Sequence, residues 1–235
     1  MYIHAIIQAR FSSVRFPGKS LHNFNGKPSI MLLVEALRQC RYISDIVIAT
    51  SDEFSDDIIA ETGKKNGCSV FRGNLANVAS RFYEICASST FDYFIRLCGD
   101  SPLFDYHGID NICSDFPGEY EIVSTVPSLT FPSGMNFEIV KRTFFLDEYV
   151  NFTSSAHFEH VTKYFYENSE KFRIFPVKSG IENSRQFKFS FDDENDRKRI
   201  QDVFDQLDKP HYQYSLEEKC NILKANPSAL MCSNF

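Results

Sequence analysis

The chain has 235 residues, 43% of them hydrophobic and 24% charged, which supports one sizeable core, is too short for two full-sized domains and excludes disorder. Its 24 Phe and 11 Tyr, with no Trp, need a core, an interface or a cleft to cover them. A formal charge of −6 argues against a general nucleic-acid binder, because phosphate neutralisation wants a net basic face.

The first expected strand, 3–8 (IHAIIQ), is too short and too polar for a signal-peptide core, and no stretch approaches membrane length. Seven cysteines, with no pair closer than twelve residues, form neither a CxxC pair nor a zinc knuckle and read as reduced thiols. The expectation is a cytoplasmic protein that does not cross a membrane. Residues 1–34 carry Arg10, Arg15, Lys19 and Lys27 and no acid, the first being Glu35. This cationic pole in an acidic chain suggests a small polyanion as ligand, or else chance clustering.

Further strands are expected at 45–49, 69–71 and 93–97, each near-continuously apolar as doubly covered strands are. Between them, 29–40, 55–66 and 76–88 carry apolar residues at helical spacing, the second closed by Gly67. Three βα units in sequence predict an α/β fold with a mostly parallel sheet and helices on both faces. After Pro117 the pattern changes to extended pieces at 122–126, 136–140, 172–177 and 187–191 with a helix near 156–167, read as a mixed sheet edge or flap. Helices at 193–207 and 215–225 complete a single domain over 1–225, in which 118–185 holds acceptor-side and dimerisation elements, and 226–235 reads as a loosely held tail. Phe131, Phe137, Phe144, Phe145 and Phe152 belong to a dimer interface or to the core.

Ligands bind outside the carboxyl ends of strands in open α/β sheets, so the segment after the first strand, Ala9 to Ser20, lies in a ligand's place. Arg10, Arg15 and Lys19 can bind phosphate oxygens, small residues such as Ser13 leave backbone N–H groups accessible, and Pro17-Gly18 turns the chain back. That makes a polyphosphate cradle or an ordinary basic surface turn. It is not a P-loop: Ser13 stands where Gly is required, and Asn23 to Pro28 deny the following helix. A second loop, Gly99 to Asp105, lets backbone approach a ligand at Gly99 and presents Asp100 as a candidate Mg²⁺ ligand. Asp192, ending the extended piece at 187–191, is a second candidate ligand or a helix cap.

The run Ile7-Gln8-Ala9-Arg10 with Ser13, Arg15 and Pro17-Gly18-Lys19, then Gly26-Lys27-Pro28, resembles the signature of the cytidylyltransferases that make CMP-activated sugar acids, closest to their spore-coat-polysaccharide type. The likeness continues through Ile48 to Asp52 with Asp56-Asp57, Phe71-Arg72-Gly73, Arg81-Phe82, Gly99-Asp100 with Pro102-Leu103, Glu159-His160-Val161-Thr162 and Asp192. It implies one Rossmann-like nucleotidyltransferase domain, usually a homodimer, that reacts CTP with the hydroxyl of a small acidic sugar to give a CMP-sugar and pyrophosphate for a surface glycan. Arg10, Arg15 and Lys19 would hold the triphosphate. Backbone around Gln8 and Ala9, with Arg72, Asn77 and Arg81, would surround the nucleoside, and Asp100 and Asp192 would bind one or two Mg²⁺ ions. The family's Asp-Gly-Leu-Asp reads Ser133-Gly134-Met135-Asn136 here, so the acceptor side departs from the pattern.

His157-Phe158-Glu159-His160 is not HExxH, and its two His at i and i+3 make a metal pair or a structural or substrate-contacting pair. Glu159 and His160 are placed near the acceptor by resemblance, beside Ser133, Asn136 and Glu138, the last an acceptor contact or an edge-strand carboxylate. Two other readings remain. A same-fold enzyme for a polyol phosphate or phosphonate would need extra cations, such as Lys163, Lys178 and Arg185, and a non-catalytic nucleotide sensor would have less need of two metal-binding acids.

Overall fold

A computed structural model describes residues 1–13 and 15–225. The tail expected at 226–235 lies outside the described residues. The three expected βα units are present: β1 (Ile3–Gln8) leads through a short hairpin, β2 (Asn23–Phe24) and β3 (Lys27–Pro28), to α1 (Ser29–Leu37). Then follow β4 (Ile43–Ser51), α2 (Asp57–Lys65), β5 (Ser69–Gly73), α3 (Val78–Ala87) and β6 (Tyr93–Cys98). A single 3₁₀ turn, Lys19–Leu21, replaces the helix a P-loop would need.

Beyond β6 come α4 (His107–Ser114), β7 (Ile122–Ser124), β8 (Glu138–Lys141), α5 (Arg142–Glu148), α6 (Ser155–His160), α7 (Lys163–Glu167), β9 (Ile174–Pro176), α8 (Glu194–Phe204) and α9 (Leu216–Ala225). The seven-stranded sheet runs β5-β4-β1-β6-β8-β7-β9. It is parallel through β5, β4, β1 and β6, and β8 enters antiparallel between β6 and β7. The second half therefore extends the main sheet and is no separate flap. Glu138 lies on an interior strand, with a neighbour on each side, and not on an edge.

Strand alternation divides the core. Ile3, Ala5 and Ile7 of β1 pack with α1 and α4, while Ile6 faces α3 and the α5–α7 layer. Phe137 lies in the first of these layers and Phe145 and Phe152 in the second, so these three fill intrachain core, while Phe131 and Phe144 are partly buried against it. Full burial of each such side chain contributes about 1.5–3 kcal/mol.

Two sequence expectations need correction. The helix expected over 156–167 is broken at Val161, whose φ of +56° and ψ of −56°, with Thr162 N–H donating to His160 C=O at 2.5 Å, form a three-residue γ-turn. Residues 187–191 form no ladder with any of the described residues, only one bridge, between Ser133 and Lys188. Their alternation is real, since Phe187, Phe189 and Phe191 are buried in the α8–α9 core, yet their neighbour is a loop turning at Gly134.

Candidate active site

A cleft of about 340 Å³ opens at the carboxyl ends of β1 and β6. Gln8, Ala9, Arg10, Ser13, Arg15, Lys19, Arg81, Gly99, Asp100, Glu159 and His160 line it. Asp192 reaches the same place through its side chain, accepting from Lys19 Nζ at 3.3 Å and pairing with Arg15 at 3.2 Å. Segments widely separated in sequence thus converge here, as expected at the carboxyl end of a parallel sheet.

The loop after β1 is anchored from below. Asp56, fully buried, accepts from the Phe11 backbone N–H at 2.7 Å, the Ser51 N–H at 2.9 Å and the Thr50 and Ser51 hydroxyls. Burial raises its pKa, but these donors outweigh it and leave the carboxyl below its ordinary value. Gly18 closes the turn at φ +70°, where a Cβ would lie 2.9 Å from the Phe11 ring. Phe16 packs edge-on against Phe191, with ring centres 5.6 Å apart, holding the loop beside Asp192.

Every cation of the loop faces an acid. Arg10 pairs with Glu159 at 3.1 Å, and Lys19 Nζ donates to both Asp100 and Asp192. Burial lowers the Lys19 pKa, but the two carboxylates overcome this and raise it. Asp192 is raised by burial and brought below the usual carboxylate range mainly by Lys19, then Lys188. The cap of α8 is its neighbour, Asp193, which accepts from Asp196 N–H at 2.8 Å and so leaves the Asp192 side chain to the cleft.

Asp100 and Asp192 suit a hard divalent cation. Both reach one ammonium, and among the described residues no group of three or more His, Cys, Asp or Glu forms a complete cage. Mg²⁺ typically takes one or two protein carboxylates with substrate phosphates, which matches this donor set.

The remaining expected site residues stand outside the cleft lining. Arg72 donates to Ser51 and Glu53 carbonyls and pairs with Asp57, and Asn77 caps α3 and donates to Tyr149. Ser133 bonds Ser190, Asn136 accepts from Thr125, and Glu138 pairs with Arg96 at 2.5 Å and accepts from Tyr166. Of the two histidines, His157 is buried, accepts at Nδ1 from Thr153 and Ser154 backbone N–H groups and donates from Nε2 to Glu167 at 2.8 Å, while His160 lines the cleft. They serve different sites and form no metal pair.

Sequence reading missed Arg96, Lys188 and Asp196. Lys188 bonds Asp192 at 3.2 Å and also Asp196, whose Oδ2 accepts from Asp192 N–H at 3.0 Å, so the pair holds Asp192 from behind. The alternation Phe187-Lys188-Phe189 signals that Lys188 faces away from the phenylalanines, but nothing local names its partner.

A cytidylyltransferase family model matches residues 4–223. The spore coat polysaccharide biosynthesis protein SpsF of Bacillus subtilis is 28% identical over 234 residues, covering 95% of each chain. The 3-deoxy-manno-octulosonate cytidylyltransferase of Pelobacter propionicus is 34% identical over 110 residues, 47% of this chain and 42% of its own. Among solved structures, a cytidylyltransferase from Leptospira borgpetersenii superposes with a TM-score of 0.91 at 26% identity, covering 99% of this chain and 98% of its own. The anchored cationic loop, the paired carboxylates and a match over nearly the whole length place this chain in the cytidylyltransferase family, as a nucleotidyltransferase enzyme.

Proposed function

We propose that the protein is a Mg²⁺-dependent enzyme that transfers CMP from CTP to a hydroxyl of an acidic sugar, releasing pyrophosphate, in the making of a surface glycan. The observation that carries this reading is the convergence of Arg10, Arg15 and Lys19 with Asp100 and Asp192 on one cleft. The acidic acceptor is supported by the likeness to an octulosonate cytidylyltransferase, and the glycan role by the likeness to a spore coat polysaccharide protein. Lys163 and Lys178, which a polyol phosphate or phosphonate would call on, do not line the cleft, nor does Arg185.

In this mechanism Arg10, Arg15 and Lys19 exchange their carboxylate partners for triphosphate oxygens. The acceptor oxygen attacks the α-phosphorus in line with the leaving group. Its new bond to phosphorus forms as the bond to the bridging oxygen breaks, the electron pair departs with pyrophosphate, and the hydroxyl proton passes to solvent. The loop cations stabilise charge developing on the leaving group, and His160, on the same cleft wall as Glu159, is placed to meet the acceptor. Asp100 and Asp192 would hold Mg²⁺, which supplies positive charge at the α-phosphate and makes the attacking hydroxyl more acidic. The scattered cysteines, unpaired among the described residues, support a cytoplasmic enzyme, and the likeness to the family supports a homodimer.

The test is pyrophosphate release from CTP, UTP, ATP and GTP with Mg²⁺ against sugar acids, polyol phosphates and phosphonates. Release is expected with CTP and a sugar acid, reduced at least 100-fold by Asp100→Asn, on the order of removing a transition-state charge contact. Turnover only with a polyol phosphate or phosphonate, or CTP binding with no turnover on any acceptor, overturns the reading.

A further inference from the structure

A buried polar row crosses the sheet directly beneath the cleft. Register places Arg96 of β6 opposite Glu138 of β8, and Glu138 opposite Ser124 of β7, all on the face covered by α7. Tyr166 of α7 closes the row, bonding Glu138 through its hydroxyl and Ser124 at 2.7 Å. At the other end Arg96 Nη1 holds Glu138 at 2.5 Å, and Arg96 Nε–H donates to the side-chain oxygen of Gln8 at 3.0 Å. Glu138 is 2% exposed, and the Arg96 side chain 17%.

This row settles the orientation of Gln8. A guanidinium can only donate, so the Gln8 atom facing Arg96 must be the carbonyl oxygen, and the amide NH₂ points the other way. Gln8 lines the cleft, and among the described residues no group accepts from its NH₂. Arg96 is itself held by Glu138, and Glu138 by Tyr166, so a flip of the amide would set its NH₂ against a guanidinium. Gln8 therefore offers the cleft a donor and no acceptor. The serine hydroxyls that share the lining, Ser13 and Ser20, can rotate to donate or accept and discriminate less.

Cytosine and uracil differ in hydrogen-bonding sense: ring atom N3 accepts in cytosine and donates in uracil. We propose that the Gln8 side-chain amide, locked by Arg96, is the specificity-determining group that donates to the acceptor edge of cytosine and rejects uracil. Arg96, Glu138 and Tyr166 are then positioning residues, acting through Gln8. A site built around one fixed hydrogen bond discriminates strongly, because the wrong partner leaves a desolvated donor facing a donor. The inference rests on CTP binding in this cleft, as in the function proposed above.

Isothermal titration of the intact protein with CTP and with UTP, each with Mg²⁺, tests it without knowledge of the acceptor. The wild type should prefer CTP. Gln8→Glu keeps the shape but turns an acceptor toward the ring, and should lower the CTP/UTP affinity ratio roughly 10- to 100-fold. Gln8→Leu, which removes the donor without adding charge, should lower the same ratio and so guards against a Gln8→Glu variant that fails to fold. Equal weakening of both nucleotides, with the ratio unchanged, overturns the inference and leaves the proposed function standing. Failure of the wild type to bind CTP at all defeats the proposed function instead.

Discussion

Lys19 stands between two carboxylates that are candidates for a divalent cation. Its ammonium holds Asp100 and Asp192 together, with the three side chains 20%, 15% and 23% exposed. Removing it leaves two partly buried acids facing one another, a like-charge arrangement that destabilises the fold. Lys19→Met is therefore expected to lose about 1–3 kcal/mol of stability without metal, in proportion to an unpaired, partly buried charge. Millimolar Mg²⁺ should restore most of that loss, and it should stabilise the variant more than the wild type, where the ion must first displace the ammonium. Thermal melts of both proteins with and without Mg²⁺ check this. An equal Mg²⁺ response in the two would show that Lys19 and the ion do not compete for the same carboxylates.

Among the elements, the extended segment 187–192 decides whether the second carboxylate arrives at the cleft. It has no ladder to hold it and depends on the Ser133–Lys188 bridge, on Phe189 N–H donating to Ser133 C=O at 2.7 Å, and on the turn at Gly134. Gly134 has φ +85°, and a Cβ there would lie 2.4 Å from Ser190 N and 2.5 Å from the Phe189 carbonyl carbon. Gly134→Ala thus meets both a left-handed backbone and a clash with main chain, and a loss of about 3 kcal/mol or more is expected, beyond the ordinary range for a surface loop. Gly118, with open space around its Cβ position, supplies the control: Gly118→Ala should stay within about 0.5 kcal/mol. Denaturant titrations compare the two, and similar midpoints would remove the backbone argument. Legibility of the elements follows the same physics. The parallel strands were readable because double burial makes their sequences apolar throughout, and α8 because Ile200, Val203 and Phe204 recur at helical spacing. The break at Val161 was not, since nothing in a β-branched residue announces a positive φ, and segment 187–191 misled because its alternation reports a buried face without reporting a partner.

For the whole molecule, the site is assembled by closure of distant segments, and this sets what the sequence could disclose. The cationic loop and Asp100 follow strands directly, so their place at the sheet's carboxyl edge was legible. The Gln8–Arg96–Glu138 row was not, because it depends on β8 entering between β6 and β7, a strand order that no local pattern encodes. The C-terminal helix shows another such dependence. Lys219 of α9 is wholly buried and donates to the Phe104 carbonyl in the loop after Asp100, at 3.4 Å. Burial lowers its pKa from 10.5 to about 8, against the opposing pull of Asp105 and Glu218. Below pH 8 the lysine is protonated in both folded and unfolded chains, and the fold carries the full penalty of a buried ammonium. As pH rises from 8 to 10.5 the folded lysine is neutral while the unfolded one still binds its proton, so the penalty shrinks, and above that range it is gone. Lys219→Met, similar in volume and never charged, should therefore be more stable than the wild type by about 2–3 kcal/mol at pH 7, with the gap closing as pH approaches 10.5. Urea titrations of both proteins at pH 7 and pH 10 measure it. A gap of the same size at both pH values would assign the effect to packing, and a less stable variant at pH 7 would mean that the bond from α9 to the Asp100 loop outweighs the buried charge.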